Sequence, residues 1–160
     1  MKGRCVSSVP LARRVMRLLT TERKMDRPKI TNEMVLEAAK EIAEKLDGDA
    51  ETIAEHYRHP MDGYELAREL DRYASWDLTM PDVEELDCMS GIVSDLHRKA
   101  EKKWAEENDI QPPLPIGTRI KQGIIDGVCN HSAARYLVKE NGCTKAGRFL
   151  LIRFEDAVAA

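Results

Sequence analysis

No stretch of this chain stays apolar for long. Runs such as FLLI at Phe149–Ile152 fall far short of the roughly 20 apolar residues a helix needs to cross a bilayer, so a membrane-spanning protein is excluded at the level of sequence. The four cysteines (Cys5, Cys88, Cys129 and Cys143) are scattered without the spacing of a disulfide framework. No secretory signal precedes them, and the expectation is reduced thiols in a cytoplasmic compartment. Neither G-x-x-x-x-G-K-[ST] nor G-x-G-x-x-G occurs, and Ser90, Ser94 and Ser132 stand in no nucleophile elbow. Nucleotide-binding loops and serine-hydrolase chemistry therefore drop out, and the sequence predicts a protein that is not an enzyme and carries no cofactor. There is also no low-complexity segment and no repeat at a solenoid period.

What is present is charge. Of 160 residues, 33% are charged and 42% hydrophobic, a globular composition whose formal net charge is −3. A chain of this length buries roughly 70% of its unfolded surface and needs no staple. The small net charge hides a strong division. Residues 1–24 carry +6, residues 25–111 carry −12 and residues 112–160 carry +3. A uniformly basic nucleic-acid binder is excluded. Three segments follow from this division: a basic extension (1–24), an acidic helical region (25–111) and a small β unit (112–160). The extension is Arg-rich, with Val15, Met16, Leu18 and Leu19 opposite Arg13, Arg14 and Arg17. It reads as a poorly ordered extension, with organelle targeting or binding to an anionic membrane as the alternative.

Between Ile30 and Leu46 the apolar residues recur at helical spacing, with Thr31 or Asn32 as N-cap. Asp49 opens a second helix that Pro60 ends. DGYE at 62–65 has the spacing of a capping box and opens a third, carrying Leu66, Ala67, Leu70, Tyr73 and Ala74. Thr79, Pro81 and Asp82 open a fourth, with acids near its start and Arg98, Lys99, Lys102 and Lys103 nearer its end, the arrangement the helix dipole favours. Leu86, Met89, Val93, Leu96, Ala100 and Lys103 predict its packing stripe. Continuous from 80 to 107, it would be about 42 Å long. Such a stripe packs on the preceding helices or forms a homodimer seam.

Pro112, Pro113 and Pro115 forbid further helix. IGTRIKQGIIDGV then predicts one long strand bent at Gly123, or a strand broken by a bulge there, and ARYLVKE (134–140) and RFLLIRF (148–154) predict two more, joined by NGCTKAG. Both faces of the last strands are apolar, so one face is expected to close a barrel and the other to pack on the helices. The predicted fold is α+β: a helical section with one long helix, packed on a small C-terminal SH3-like β-barrel or curled antiparallel sheet.

ELARELDRYASWDLTMPDVEELDCM, followed by PPLPIGTRI, ARYLVKE and LLIRFEDAV, resembles small accessory proteins of bacteriophages and prophages. The resemblance spans about residues 30–158. It implies a bacterial cytoplasmic setting and carries over no functional residue.

Three functional constellations remain. The first is the acidic helical surface, represented by Asp82, Glu84, Glu85 and Asp87 together with Trp104 on the long helix. It suits the basic groove of a partner protein, with carboxylates standing in for phosphates on a host nuclease or defence complex. The second is the basic rim of the β unit, with Arg135, Lys139, Lys145 and Arg148 for phosphates and Tyr136 for stacking, which would bind nucleic acid. In the third, Cys129, His131 and Cys143 lie close in sequence, with Cys88 or His97 needed as a fourth ligand for a small metal-dependent enzyme. The spacing fails the usual zinc template, so the expectation is no metal. His56 and His59 lack the H-E-x-x-H pattern and read as helix-end histidines. The sequence therefore predicts a non-catalytic protein that binds and modulates a partner protein.

Overall fold

The computed structural model describes residues 26–142 and 147–160. The described residues form four α-helices and a four-stranded antiparallel sheet, an α+β fold. The basic extension lies outside them, as do Cys143 and Lys145.

Each helix begins where a side chain can satisfy an otherwise orphaned N–H group. In α1 (Asn32–Leu46) the Thr31 hydroxyl accepts from Met34 N, and the chain leaves the helix through Asp47 in the left-handed region. Asp49 caps α2 (Ala50–His56) through Thr52 N at 2.8 Å. Asp62 caps α3 (Gly63–Ala74) through Glu65 N at 2.8 Å. For α4 (Met80–Glu107), Asp82 accepts from both Thr79 N (2.8 Å) and Thr79 Oγ1 (2.6 Å).

The helices share one core. Ala38, Ala39, Ile42 and Ala43 of α1 meet Ile53, Leu66, Leu70, Leu86, Met89 and Val93. Gly63 sets the approach of α3 to α4. A Cβ there would run into the Val83 carbonyl oxygen and come within 2.6 Å of Asp87 N, and the Gly63 N–H donates to Asp87 Oδ1 at 2.9 Å. Leu86, Met89 and Val93 of the α4 stripe are buried inside the molecule, in the core shared with α1 and α3. Its C-terminal part differs from expectation: Lys103 is exposed, whereas Glu101 is buried at 2% exposure.

A second core belongs to the sheet: Ile120, Ile125, Ala134, Tyr136, Val138 and Phe154, with Trp104, Ile110 and Leu114 packed against it. Helix α4 enters both cores, its first half through Leu86, Met89 and Val93 and its end through Trp104. That double duty accounts for its 28 residues. The proline connector is tied down by Tyr136, whose hydroxyl donates to Leu114 O (2.9 Å) and accepts from Leu114 N (2.8 Å).

The strands are β1 (Arg119–Ile120), β2 (Gly123–Val128), β3 (Arg135–Glu140) and β4 (Leu150–Arg153), paired in that order. In place of one long strand bent at Gly123, the chain makes a hairpin. Lys121 and Gln122 form its turn, Ile120 pairs with Gly123, and the irregularity falls between Ile125 and Gly127. Gly123 lies so close to the Lys139 carbonyl oxygen that no Cβ fits. The sheet is not closed into a barrel. After the 3₁₀ turn at Phe154–Asp156, a single bridge joins Ala159 to Ile120, and Ala160 N donates to Arg119 O at 3.0 Å. Among the described residues the apolar contact with α4 and the connector is made by the inner face, through Trp104 and Leu114, so the face that packs on the helices is the one that holds the sheet core.

Candidate functional site

Alternation along the strands sorts the side chains into two sets. Tyr136, Val138 and Ile125 turn into the sheet core, whereas Leu137, Lys139, Ile124 and Leu151 stand on the outer face. The register sets Ile124 opposite Lys139 and Leu137 opposite Leu151. Phe149 follows the same alternation one step before β4. Ile124 is 45% exposed, Leu151 47% and Phe149 39%. A solvated antiparallel face is ordinarily polar, whereas this one exposes Ile124, Leu151 and Phe149, with Lys139 across from Ile124. The exposed charged residues of these strands and their turns include Lys121, Lys139, Arg148 and Arg153, with Asp126, Glu140 and Glu155.

A second polar cluster lies where helices and sheet meet. Arg27 reaches in from the segment before α1 and donates to Glu101 (2.8 Å), to both Glu155 oxygens (2.7 and 3.1 Å) and to the carbonyls of Ala133 and Ala134. Its guanidinium stands 5.2 Å from the Trp104 ring centroid, within cation–π range. Arg135 approaches Glu101 from the other side at 3.5 Å. Burial works against the Arg27 charge, but the hydrogen bonds to Glu155 and Glu101 outweigh it and its pKa rises above the ordinary value. For Glu155, partial burial alone would raise the pKa. The Arg27 hydrogen bond, a backbone hydrogen bond and the charges of Arg27 and Arg153 together hold it below 4.5. This cluster joins three parts of the chain; its groups are matched in sign and bonded to one another, which is a structural role.

An open cleft of about 830 Å³ runs between the end of α4 and the β2–β3 loop, lined by Arg98, Lys99 and Lys102 on one side and Cys129, His131 and Ser132 on the other. Its charges are mixed: Arg98 is bonded to Asp95 at 3.0 Å, and Asp109 accepts from Gln111 at 2.7 Å. Cys129 and His131 do share this cleft, but among the described residues no three His, Cys, Asp or Glu side chains are grouped as a metal ion requires. Cys88 is exposed on α4, and the His97 ring bonds the Pro28 carbonyl at 2.9 Å. His56 and His59 turn to different partners, Thr52 O and the Tyr57 hydroxyl, rather than toward a common point.

The acidic set at the start of α4 is mostly engaged within the molecule. Asp82 caps the helix, Glu85 pairs with Lys45 at 2.8 Å and Asp87 holds Gly63, while Glu84 is exposed. Trp104 is half-buried in the sheet core beside Arg27. Of the basic set, Lys139 and Arg148 are exposed, Arg135 leans on Glu101 and Lys145 lies outside the described residues. Tyr136 is fully buried with its hydroxyl occupied, and offers no ring face to a base. Two groups escaped sequence reasoning. Glu101 lies eight residues beyond Val93 on the same helix face, a signal hidden by treating Glu as solvent-facing. Arg27 has no local signal, since its partners are 74 and 128 residues away.

No protein family, curated protein or solved structure matches this chain. The functional reading therefore rests on the geometry of these sites.

Proposed function

We propose that this chain is a non-catalytic accessory protein that binds and modulates a partner protein, and that the outer face of its sheet makes the contact. The observation that carries this reading is the exposed apolar set Ile124, Leu151 and Phe149 on a sheet face that also presents Lys139. The charge division supports it as well. Exposed carboxylates of α1, among them Glu33, Glu37, Glu41 and Glu44, make the helical end acidic, so the molecule is polarised and turns its sheet toward an acidic partner. This moves the contact from the acidic helices to the sheet, because most of the carboxylates at the start of α4 are already bonded internally. We read the β unit as an incompletely closed SH3-like sheet, given its strand order, its 3₁₀ turn and the return of Ala159 to Ile120. The phage resemblance points to a factor of a bacterial host, of the defence or nucleic-acid-processing kind.

A nucleic-acid reading is favoured by one observation: Phe149 is exposed between Arg148 and the outer-face Lys139. Capture from a bacterial lysate by the tagged full chain, with and without nuclease, separates the two. A partner that survives nuclease, is lost with Ile124→Glu/Leu151→Glu and is kept with Glu37→Lys/Glu41→Lys fits the sheet contact. The reverse mutational pattern puts the contact on the helices. Recovery of nucleic acid alone, abolished by Lys139→Glu/Arg148→Glu, transfers the function to the basic rim.

A further inference from the structure

The two edges of the sheet are treated differently. At β1 the C-terminal residues cover the edge, with Ala159 bridged to Ile120 and Ala160 N bonded to Arg119 O. At β4 no described strand lies beyond. Antiparallel pairs alternate between hydrogen-bonded and non-hydrogen-bonded positions, so the bonds at one end of β4 determine which groups remain free. Phe154 N donates to Ala134 O at 3.0 Å, and Cys129 N donates to Arg135 O at 2.8 Å. The first places Phe154 and, two residues back, Ile152 in bonded positions toward β3. The second turns Arg135 toward β2, so its partner Arg153 is not bonded to it. Both observations leave the N–H and C=O groups of Leu151 and Arg153 facing outward at the edge. Leu151 also carries its side chain on the outer face, and Arg153 is exposed at the end of the strand, close to Glu155. Hydrogen-bonding groups, exposed apolar surface and positive charge thus coincide on one strand, where an edge is ordinarily blunted or covered.

We infer that β4 accepts an extended segment of a partner protein as an additional antiparallel strand, reading acid-x-apolar-x-apolar from its N-terminus. The inference rests on the sheet-face contact proposed above and names what occupies it. An acidic residue lies opposite Arg153, an apolar one opposite Leu151 and a second beside Phe149, while the backbone groups of Leu151 and Arg153 hold the strand. Charge selects this occupant. In a second copy paired antiparallel about the middle of β4, Leu150 of one chain comes against Arg153 of the other, so Arg153 gains no carboxylate across the pair. Residues 1–24, at +6, have the wrong sign for the same face.

The test is a titration of the isotopically labelled full chain, followed by amide NMR, with the peptide acetyl-GETVTVG-amide. Two controls accompany it: the peptide with Lys in place of Glu, and the peptide N-methylated at its first Val. The expected result is that the Leu151 and Arg153 amides shift and slow their exchange, and that each control binds about tenfold more weakly, the size of one lost charge contact or backbone bond with its crowding. Equal binding of the N-methylated peptide would overturn strand addition while leaving the sheet face as the contact. Failure of every peptide, with a lysate partner still lost in Ile124→Glu/Leu151→Glu, would overturn the acidic motif but not that contact. Self-association through β4, seen by sedimentation and abolished by Leu151→Glu, would assign the edge to a second copy and overturn the proposal. Equivalent shifts with oligothymidylate would assign it to nucleic acid, overturning both the proposal and the protein-contact reading.

Discussion

Single residues in this protein do work that their types do not announce. Glu155 belongs to a short turn near the C-terminus, yet it receives two hydrogen bonds from Arg27, near the other end of the described chain. Its folded-state pKa lies below the ordinary 4.5, with burial outweighed by those bonds and by nearby positive charge. Such a carboxylate contributes stability that is full above about pH 4.5 and is lost as pH falls through the lower folded value. Asp49 and Asp82, held down chiefly by hydroxyl hydrogen bonds from Thr52 and Thr79, add to the same acid limb. In urea melts between pH 7 and pH 3, Glu155→Gln is expected to be less stable than wild type at neutral pH, with the gap closing as the solution is acidified. A gap independent of pH would show that the Arg27–Glu155 pair does not supply it.

At the scale of elements, glycine has opposite meanings in neighbouring helices. Gly91 sits in the middle of α4, and a methyl group added at its Cα would meet nothing within 4 Å, so it costs helix stability without serving packing. Gly91→Ala is expected to stabilise the protein by about 1 kcal/mol, or roughly 2–4 °C in melting temperature. Gly63→Ala drives a methyl into the backbone of α4 and is expected to destabilise by about 2–3 kcal/mol. Thermal melts of the two variants check both signs. The caps that delimit these helices (Thr31, Asp49, Asp62 and Thr79) are legible in the sequence because each bonds within three residues of itself. The β1–β2 hairpin was not legible. A Lys-Gln turn carries no strong turn signal, and the glycine that suggested a bend instead permits close approach to Lys139.

At the scale of the whole molecule, the two cores are joined by one helix and one ionic cluster. Arg27→Ala would leave Glu101, 3% exposed in its side chain, with only Arg135 at 3.5 Å. The expected loss is about 3 kcal/mol, since removing one partner of a buried pair leaves its charge with the longer Arg135 contact alone among the described residues. The loss should be uneven, with hydrogen exchange accelerating more in β3 than in the core of α1. Uniform acceleration across both cores would show that the cluster does not couple them.

Periodicity and capping are local, and so the four helices, the switch to β structure after the prolines and two of the strands could be read from neighbouring residues. The same holds for the division of charge and for the two apolar faces of the last strand. Which face is covered is not a local property. It depends on where α4 ends relative to the sheet, and Trp104 and Leu114 fill the inner face while Leu151 and Ile124 remain outside. The sequence likewise presents Asp82, Glu85 and Asp87 as acids free to bind a partner. Only tertiary structure commits them to a cap, a lysine and a glycine N–H. Hydrogen bonds between distant residues depend on how the elements are placed, and that placement decided which polar groups are spent inside this protein and which are left for a partner.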